Sequence, residues 1–436
     1  MMRSYYIETY GCTLNKTDSA LIEERLRSAG YISVDSIDKA DIIIINTCTV
    51  RLDTEQRMLR RIKELCIEGK KLIVTGCLAS AQPAFVKSEC KDAIVLDNIS
   101  ISLIHLYLNG GFNFQLGEKA LAEKALNPVI HREGPILSVP LADGCLDNCS
   151  YCITKLARPN LLSRKPDKVI EKLRETVSSL PYEVVEVQLT GQDLAVYGYD
   201  IVKKPLLPSL LESILSIDYG GKLLKIRLGM MTPNWFKFIM NDIVEIMKND
   251  QRVYRFLHLP VQSGDDRVLR LMRRRYSVNE FKQMVEFIRR EIEDVQIATD
   301  IIVGHPGEDE LAFQKTLDLL QELRIERVHI AQYTPRPHTL SARMKQLTYG
   351  ERKRRSLLIN KIYEEIGYEW HSKLVGRRVK AYLVERFRWK GQHYIVGRTD
   401  NYVSIVVKNA TDKQLGKIAD VCIDEATFYD VRGHLC

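Results

Sequence analysis

The stretch Ile136-Leu137-Ser138-Val139-Pro140-Leu141-Ala142-Asp143-Gly144-Cys145-Leu146-Asp147-Asn148-Cys149-Ser150-Tyr151-Cys152 decides how this chain is read. An apolar strand runs into a loop with the spacing C-x3-C-x2-C. Three thiolates can hold three irons of a cubic four-iron four-sulfur (4Fe-4S) cluster. The fourth iron then lacks a protein ligand and is open for chemistry, where four cysteines would close the cluster for plain electron transfer. A structural zinc knuckle and chance clustering are the competing readings. Zinc wants a fourth Cys or His close by, and the twelve residues after Cys152 contain neither.

The same strand-then-helix alternation continues outward from this loop. Strand patterns cover 136–145, 184–193, 224–231, 256–264, 297–305 and 327–335, and helical periodicity covers 167–180, 235–248, 278–291 and 309–323. Six such repeats predict an open, partial (β/α)6 TIM-like barrel, in which chemistry lies beyond the strand C-termini. The cysteine loop ends the first strand, where that rule places it.

Upstream, one pattern occurs three times: a short apolar strand ending in cysteine, as YYIETYGC at Cys12, DIIIINTC at Cys48 and KKLIVTGC at Cys77. Helical periodicity follows each, over 19–29, 53–68 and a shorter stretch after Gln82. Strands alternating with helices predict a doubly wound parallel sheet, which binds ligands at the carboxyl ends of its strands. All three cysteines fall on that edge and can meet one cofactor, a second cluster with one open iron. The plainer alternative is three small buried residues at strand ends. Cys66, Cys90, Cys422 and Cys436 have no matching context and read as core or surface thiols.

A linker and one helix span about 109–133, beginning Asn109-Gly110-Gly111. After the barrel comes a basic helix with Arg352-Lys353-Arg354-Arg355, and from about His371 short strands predict a small β-barrel: VKAYLVERF, HYIVGRTD, YVSIVVKN and ADVCIDEATFYDVRG. The expected domains are 1–115, 131–365 and 368–436.

Composition narrows the class. The chain has 436 residues, 45% apolar and 28% charged, as in a soluble globular protein. Met1-Met2-Arg3-Ser4 leads straight into a strand, with no secretory leader, and the strongest apolar run, Ile42 to Ile45, is too short to cross a bilayer. Ten cysteines in a chain this long are no disulfide framework and fit a reducing cytoplasm with metal ligation. Residues 343–436 carry 19 Lys/Arg against 11 Asp/Glu, an excess of eight that equals the net charge of the whole chain. That excess suits a polyanion such as RNA, or is a solvated basic surface. Aromatic and basic residues interleave in Arg386-Phe387-Arg388-Trp389-Lys390 and near Tyr394, Arg398 and Tyr402, a mixture that suits nucleic acid as well as a plain hairpin. Arg273-Arg274-Arg275-Tyr276 is a second basic run, able to contact RNA or to solvate a helix end. No P-loop and no Ser-His-Asp signature is present.

The cysteine loop resembles the signature of radical S-adenosylmethionine (SAM) enzymes, in which SAM chelates the open iron. With NTCTV, TGC, DGCLDNCSYC, HLPVQSG, DIIVGHPGE and YTPRPHT in order, the chain resembles the radical SAM methylthiotransferases over nearly its whole length, and its last barrel resembles their RNA-binding TRAM domain. GCLDNCSYCITKLAR is most similar to the archaeal and eukaryotic branch, which modifies N6-threonylcarbamoyladenosine in tRNA beside the anticodon. Three departures stand out: Asp147 and Pro159 where Gly is expected, and His305 where Phe is expected.

The resemblance implies two 4Fe-4S clusters, on Cys145, Cys149 and Cys152 and on Cys12, Cys48 and Cys77. The first would cleave one SAM to a 5′-deoxyadenosyl radical, and the second would hold the sulfur that a further SAM methylates and that joins carbon-2 of the adenine. It further implies a SAM pocket from polar strand ends. Gly191 and Gln192 stand where these enzymes carry a Gly-Gly-Glu-like segment, Arg227 faces the carboxylate of SAM, and His258, Gln262 and Asp300 complete the mouth. Each alone reads as a turn former. The implied partners are the tRNA anticodon stem-loop and an electron donor such as a flavodoxin or ferredoxin, for a cytoplasmic monomer without membrane contact. Alternatives are a methylthiotransferase for tRNA isopentenyladenosine or a ribosomal protein, or a tRNA-binding iron–sulfur protein without catalysis.

Overall fold

The β-branched run Ile42 to Ile45 is buried on both faces, the mark of an inner strand of a parallel sheet. In the computed structural model, which describes residues 3–50, 52–67, 69–109 and 116–436, it forms β3. The strands β1 (Ser4–Thr9), β2 (Ile32–Ser33), β3 (Ile42–Thr47), β4 (Lys71–Gly76) and β5 (Ile94–Val95) make one parallel sheet in the order β2-β1-β3-β4-β5. Alternation along β3 feeds two cores: Ile42 and Ile44 pack with Ile22 and Leu26 of the helix Thr13–Ser28, while Ile43 and Ile45 pack with Met58 and Ile62 of the helix Leu52–Leu65. The start of the expected linker, 110–115, lies outside the described residues. A helix, Leu116–Leu126, follows.

The barrel is built from two sheets. One holds β6 (His131–Glu133), β7 (Ile136–Pro140), β10 (Val184–Thr190) and β11 (Leu223–Leu228) in the order β11-β10-β7-β6, with only β6 antiparallel. Two short strands, β8 (Ala142–Asp143) and β9 (Leu162–Ser163), pair antiparallel and pinch the base of the cysteine loop. The other sheet is β12 (Phe256–His258), β13 (Gln296–Val303) and β14 (Arg327–Gln332), all parallel. Single parallel bridges, Ile226 to Val253 and Met230 to His258, join the two across β11 and β12. The six parallel strands thus curl into the open barrel that the periodicity predicts.

The long helix Tyr349–Ser372 leads to a closed barrel of β15 (Arg378–Trp389), β16 (Gln392–Arg398), β17 (Ser404–Val407), β18 (Lys417–Ala426) and β19 (Val431–Leu435). Sequence periodicity gives four strands here and the structure five, because a turn closed by Thr427 N donating to Asp430 O at 2.8 Å breaks the last run. This small barrel seals the lower end of the large one. Tyr402 and Tyr254 donate their hydroxyls to the two carboxylate oxygens of Glu186, each at 3.1 Å. The fully buried Lys225 reaches Asp400 at 2.8 Å and lies over the rings of Tyr254 and Tyr382.

Three readings change. Cys66 follows the helix Leu52–Leu65 and is bonded to Cys90, and Cys422 is bonded to Cys436, so these four are disulfide partners and not free thiols. Much of the basic helix is structural: Arg355 is buried against Glu308 and Glu351, Arg354 pairs with Glu310 and Glu351, and Arg352 donates to the carbonyl of Tyr333. Arg398 likewise turns inward to Glu385. The run at 273–275 is divided: Arg274 is buried, whereas Arg273 and Arg275 are exposed, Arg275 with one nitrogen on Asp147.

Candidate functional site: two cysteine triads across one seam

In each cysteine triad one member follows a glycine that no other residue could replace. Gly144 has φ +75°, and a Cβ there would lie 2.0 Å from the Asn160 carbonyl. Gly76 has φ +90°, with a Cβ 2.3 Å from the Thr47 carbonyl. Left-handed backbone and close approach together demand glycine, and each turn delivers the next residue, Cys145 or Cys77, to the strand-end edge.

Cys145, Cys149 and Cys152 are unpaired and partly exposed. Ser150 pins their loop, donating through its backbone N to Met272 O at 3.1 Å and through Oγ to Leu271 O at 2.7 Å. Asp147 holds the other side. Its Oδ1 accepts from Arg275 at 2.7 Å, Trp235 Nε1 at 3.0 Å and Asn234 at 3.1 Å. These three donors explain how an aspartate fits where glycine is expected. Burial and the nearby Asp193 push the Cys145 thiol well up, while at Cys149 burial is opposed by the Arg274 guanidinium. Thiols this costly to ionise unaided suit cationic iron, which supplies the missing positive charge.

Cys12, Cys48 and Cys77 are free and gather at the ends of β1, β3 and β4, close enough that Cys12 acts electrostatically on both of the others. Asn15, almost wholly buried, braces them. Its Nδ2 donates to Tyr10 O at 2.8 Å and Thr47 O at 2.9 Å, and its Oδ1 lies 3.8 Å from Cys77 Sγ. Burial lifts the Cys77 thiol to about 11 against the pull of Arg158. Three converging thiols without a fourth sulfur ligand fit a cluster with one open iron as well as the loop triad does.

A buried ion network welds the two triads together, and no sequence pattern signals it. Arg158 pairs with Asp18, in the helix that follows Cys12, and with Asp143, two residues before Cys145. Lys124 adds contacts of 2.9 Å to Asp18 and 3.1 Å to Asp143, and Arg164 reaches Asp143 at 2.7 Å. Burial alone would neutralise Asp143, but the three cations hold its carboxyl far below the usual range. Three cations against two carboxylates leave one positive charge beside Cys77. A strap runs parallel to this network. Arg336, from YTPRPHT, pairs with Glu55 and donates to Thr49 Oγ1 at 2.8 Å beside Cys48, and Ser341 contacts Ser150 Oγ at 2.8 Å.

The strand-end residues expected to bind SAM divide. Gln192 spends its Oε1 on Gly144 N at 2.7 Å and so braces the cysteine loop, with Gly191 packed close to the Ala142 carbonyl. Its neighbour Asp193 is buried, accepts from Thr232 N at 3.0 Å and Ala195 N at 3.1 Å, and lies 3.8 Å from Cys145 Sγ; burial raises its pKa to about 7. Deeper in the lumen, Asp300 Oδ1 is shared by His258 Nε2 at 2.8 Å and His329 Nδ1 at 2.9 Å. Burial disfavours the Asp300 charge, but the two imidazoles more than compensate, while burial outweighs Asp300 in keeping His258 neutral. His329 carries no signal in the sequence beyond its place in the strand pattern 327–335. Arg227 is part-buried with its guanidinium over the Phe256 ring. Gln262 is buried at φ +73° with its Oε1 free of any hydrogen bond.

An open barrel with a three-cysteine loop beyond its first strand defines a radical SAM protein, and residues 139–354 match the Radical SAM superfamily. Residues 4–97 match the Uncharacterized protein family UPF0004, and residues 375–436 match the TRAM domain. The chain belongs to the threonylcarbamoyladenosine tRNA methylthiotransferase family. A protein of Pyrococcus horikoshii named "Probable threonylcarbamoyladenosine tRNA methylthiotransferase" is 35% identical over 95% of this chain and 99% of its own. The "Threonylcarbamoyladenosine tRNA methylthiotransferase" of Homo sapiens is 30% identical over 99% of this chain and 74% of its own. Among solved structures, the fold resembles the radical SAM methyltransferase TsrM of Kitasatospora setae, with TM-score 0.59 and 13% identity over 78% of this chain and 77% of that one. The protein is an enzyme of methylthio transfer, with a 4Fe-4S cluster and SAM as cofactors.

Proposed function

We propose that this chain converts N6-threonylcarbamoyladenosine at position 37 of tRNA, beside the anticodon, to its 2-methylthio derivative. The observation that carries this reading is the Asp18–Arg158–Asp143 bridge, which sets two cysteine triads, each one ligand short, on either side of one seam. In this reading Cys145, Cys149 and Cys152 hold the cluster that meets SAM, and Cys12, Cys48 and Cys77 hold a second one that carries the sulfur. Bound there, such clusters supply one-electron cleavage of SAM and an iron site for sulfur, chemistry that side chains alone cannot perform.

The chain's own groups position and shield. Gln192 and Asp147 fix the loop of the first triad, and Asn15 fixes the second. Arg227, His258, Gln262 and Asp300 offer one cation, one shared carboxylate and free acceptors to SAM. The Tyr402–Glu186 contact closes the lumen from below, so that reactive species are kept from bulk water. The exposed Phe387 and Trp389 and the half-exposed Arg386 of β15 offer stacking and charge to the anticodon stem-loop. A flavodoxin or ferredoxin supplies the electron, to a monomer working in the cytoplasm. No helix among the described residues is long and apolar enough to cross a membrane.

The test is anaerobic reconstitution with SAM and tRNA carrying threonylcarbamoyladenosine, followed by nucleoside mass spectrometry. A methylthio product is expected. Cys145→Ala should abolish SAM cleavage, whereas Cys12→Ala should keep SAM cleavage and stop methylthiolation. No product from protein with both clusters verified would overturn the reading, and methylthiolation by the Cys12 variant would overturn the second cluster.

A further inference from the structure

Arg274 follows the helix Asp266–Leu271, and its side chain is only 4% exposed. A guanidinium keeps its charge at every accessible pH, and burying a charge without a counter-ion is strongly unfavourable. The fold nevertheless offers Arg274 no full partner. Asp147 Oδ2 stands 3.9 Å from Nη1, and Asp147 Oδ1 is already taken by Arg275, Trp235 and Asn234. Nε and Nη1 of Arg274 are buried and donate to nothing. Tyr151, Tyr276, Cys149 and Asp147 are the groups whose charge acts on it. Both tyrosines are neutral phenols, and Tyr276 spends its hydroxyl on the carbonyls of Pro260 and Val261. Beyond the distant Asp147 carboxylate, which Arg275 already engages, what remains is the sulfur of Cys149, in a loop that Ser150 ties to Leu271 and Met272 only a few residues before Arg274.

We propose that Arg274 is the counter-ion of the iron–sulfur cluster that Cys145, Cys149 and Cys152 would hold, and that it sets how readily this cluster takes an electron. This rests on the assignment of those three cysteines as ligands and on nothing about the second triad. A 4Fe-4S cluster on three thiolates is anionic, and one-electron reduction adds a negative charge while no bond to the protein changes. A fixed positive charge at low dielectric favours the reduced form, and net charge with hydrogen bonding to sulfur is what tunes such clusters. Arg274 is therefore an electrostatic positioning residue.

The experiment is a dithionite redox titration of the full-length chain, reconstituted with iron and sulfide and read by electron paramagnetic resonance. The signal followed is the one that shifts when SAM is added, which identifies the first cluster whether or not a second is present. Arg274→Gln should keep the SAM-responsive signal and titrate at a potential more negative by about 59 mV or more, a tenfold change for one electron. Arg274→Lys, which keeps the charge and loses the planar fork, should fall between Gln and wild type. An unchanged midpoint in Arg274→Gln overturns the proposal. So does an unchanged midpoint with tenfold weaker SAM binding, which would assign Arg274 to the SAM carboxylate. If Arg274→Gln fails to load iron, Arg274→Met is read in its place: a midpoint lowered by the same margin supports the proposal, while an unchanged midpoint or failure to load iron overturns it. Loss of the SAM-responsive signal from Cys149→Ala is the separate check on the ligand assignment.

Discussion

Arg158 places one guanidinium nitrogen on Asp18 and another on Asp143, joining the sheet that carries Cys12 to the barrel that carries Cys145. Breaking a buried ion pair by removing one partner costs about 3–5 kcal/mol, because the stranded charges remain. Arg158→Met should therefore lower unfolding stability by about that amount. Chemical denaturation of the apoprotein measures it. A denaturation midpoint equal to that of wild type would show that Lys124 and the Arg336 strap hold the seam without it.

Asp147 predicts a different failure. Asp147→Gly leaves the barrel core intact but frees Arg275, Trp235 and Asn234 from the cysteine loop. Iron should be lost to a chelator at least several-fold faster from this variant, with its melting temperature nearly unchanged. Equal rates of iron loss would mean that Ser150 and Gln192 secure the loop without it.

His305 gives the chain an acid-sensitive element. It is fully buried between Tyr151 and Tyr333, with Nε2 on Ser341 Oγ at 2.7 Å, and burial lowers its pKa from 6.5 to about 4. Above pH 6.5 the folded and unfolded chains both hold it neutral. Between 6.5 and 4 only the unfolded chain takes up the proton, so stability falls by up to about 3 kcal/mol. His305→Phe should remove that part of the acid slope. Unfolding curves recorded across this window decide it, and an identical slope in the variant would exclude His305 as the cause.

The lumen makes a prediction of its own. Asp300→Ala takes away the acceptor shared by His258 and His329. SAM affinity should fall at least about tenfold, on the order of the 1.4 kcal/mol that a charge-assisted hydrogen bond contributes, while the iron content holds. Equilibrium dialysis with labelled SAM is the measurement, and unaltered affinity would place SAM higher in the barrel mouth.

Much of this architecture is legible in sequence because it rests on local periodicity. The run Ile42 to Ile45, the three strand-cysteine repeats and the six β-α units each announce themselves within a dozen residues or so. The ion network does not. Asp18, Lys124, Asp143, Arg158 and Arg164 are spread over more than a hundred positions, and each alone resembles a surface charge until the fold buries it. The basic excess of the last 94 residues points to the right domain but not to the right side chains: charge counts carry no direction, and Arg355 and Arg398 point inward. Gln192, expected at the SAM pocket, also accepts from Gly144, a brace across 48 positions that no local pattern signals.

Lys225 and Asp400 impose an order on biosynthesis. Asp400 lies 175 residues after Lys225, so on the ribosome the radical chamber is complete in its strands long before its base is shut. Until β15 to β19 have folded, the Lys225 ammonium lacks its carboxylate and water can rise to the layer of Asp300. A nascent or truncated chain is thus a leaky vessel, unfit to contain a radical. The segment that shuts the base is also the TRAM domain, so closure of the chamber waits on the last residues to leave the ribosome.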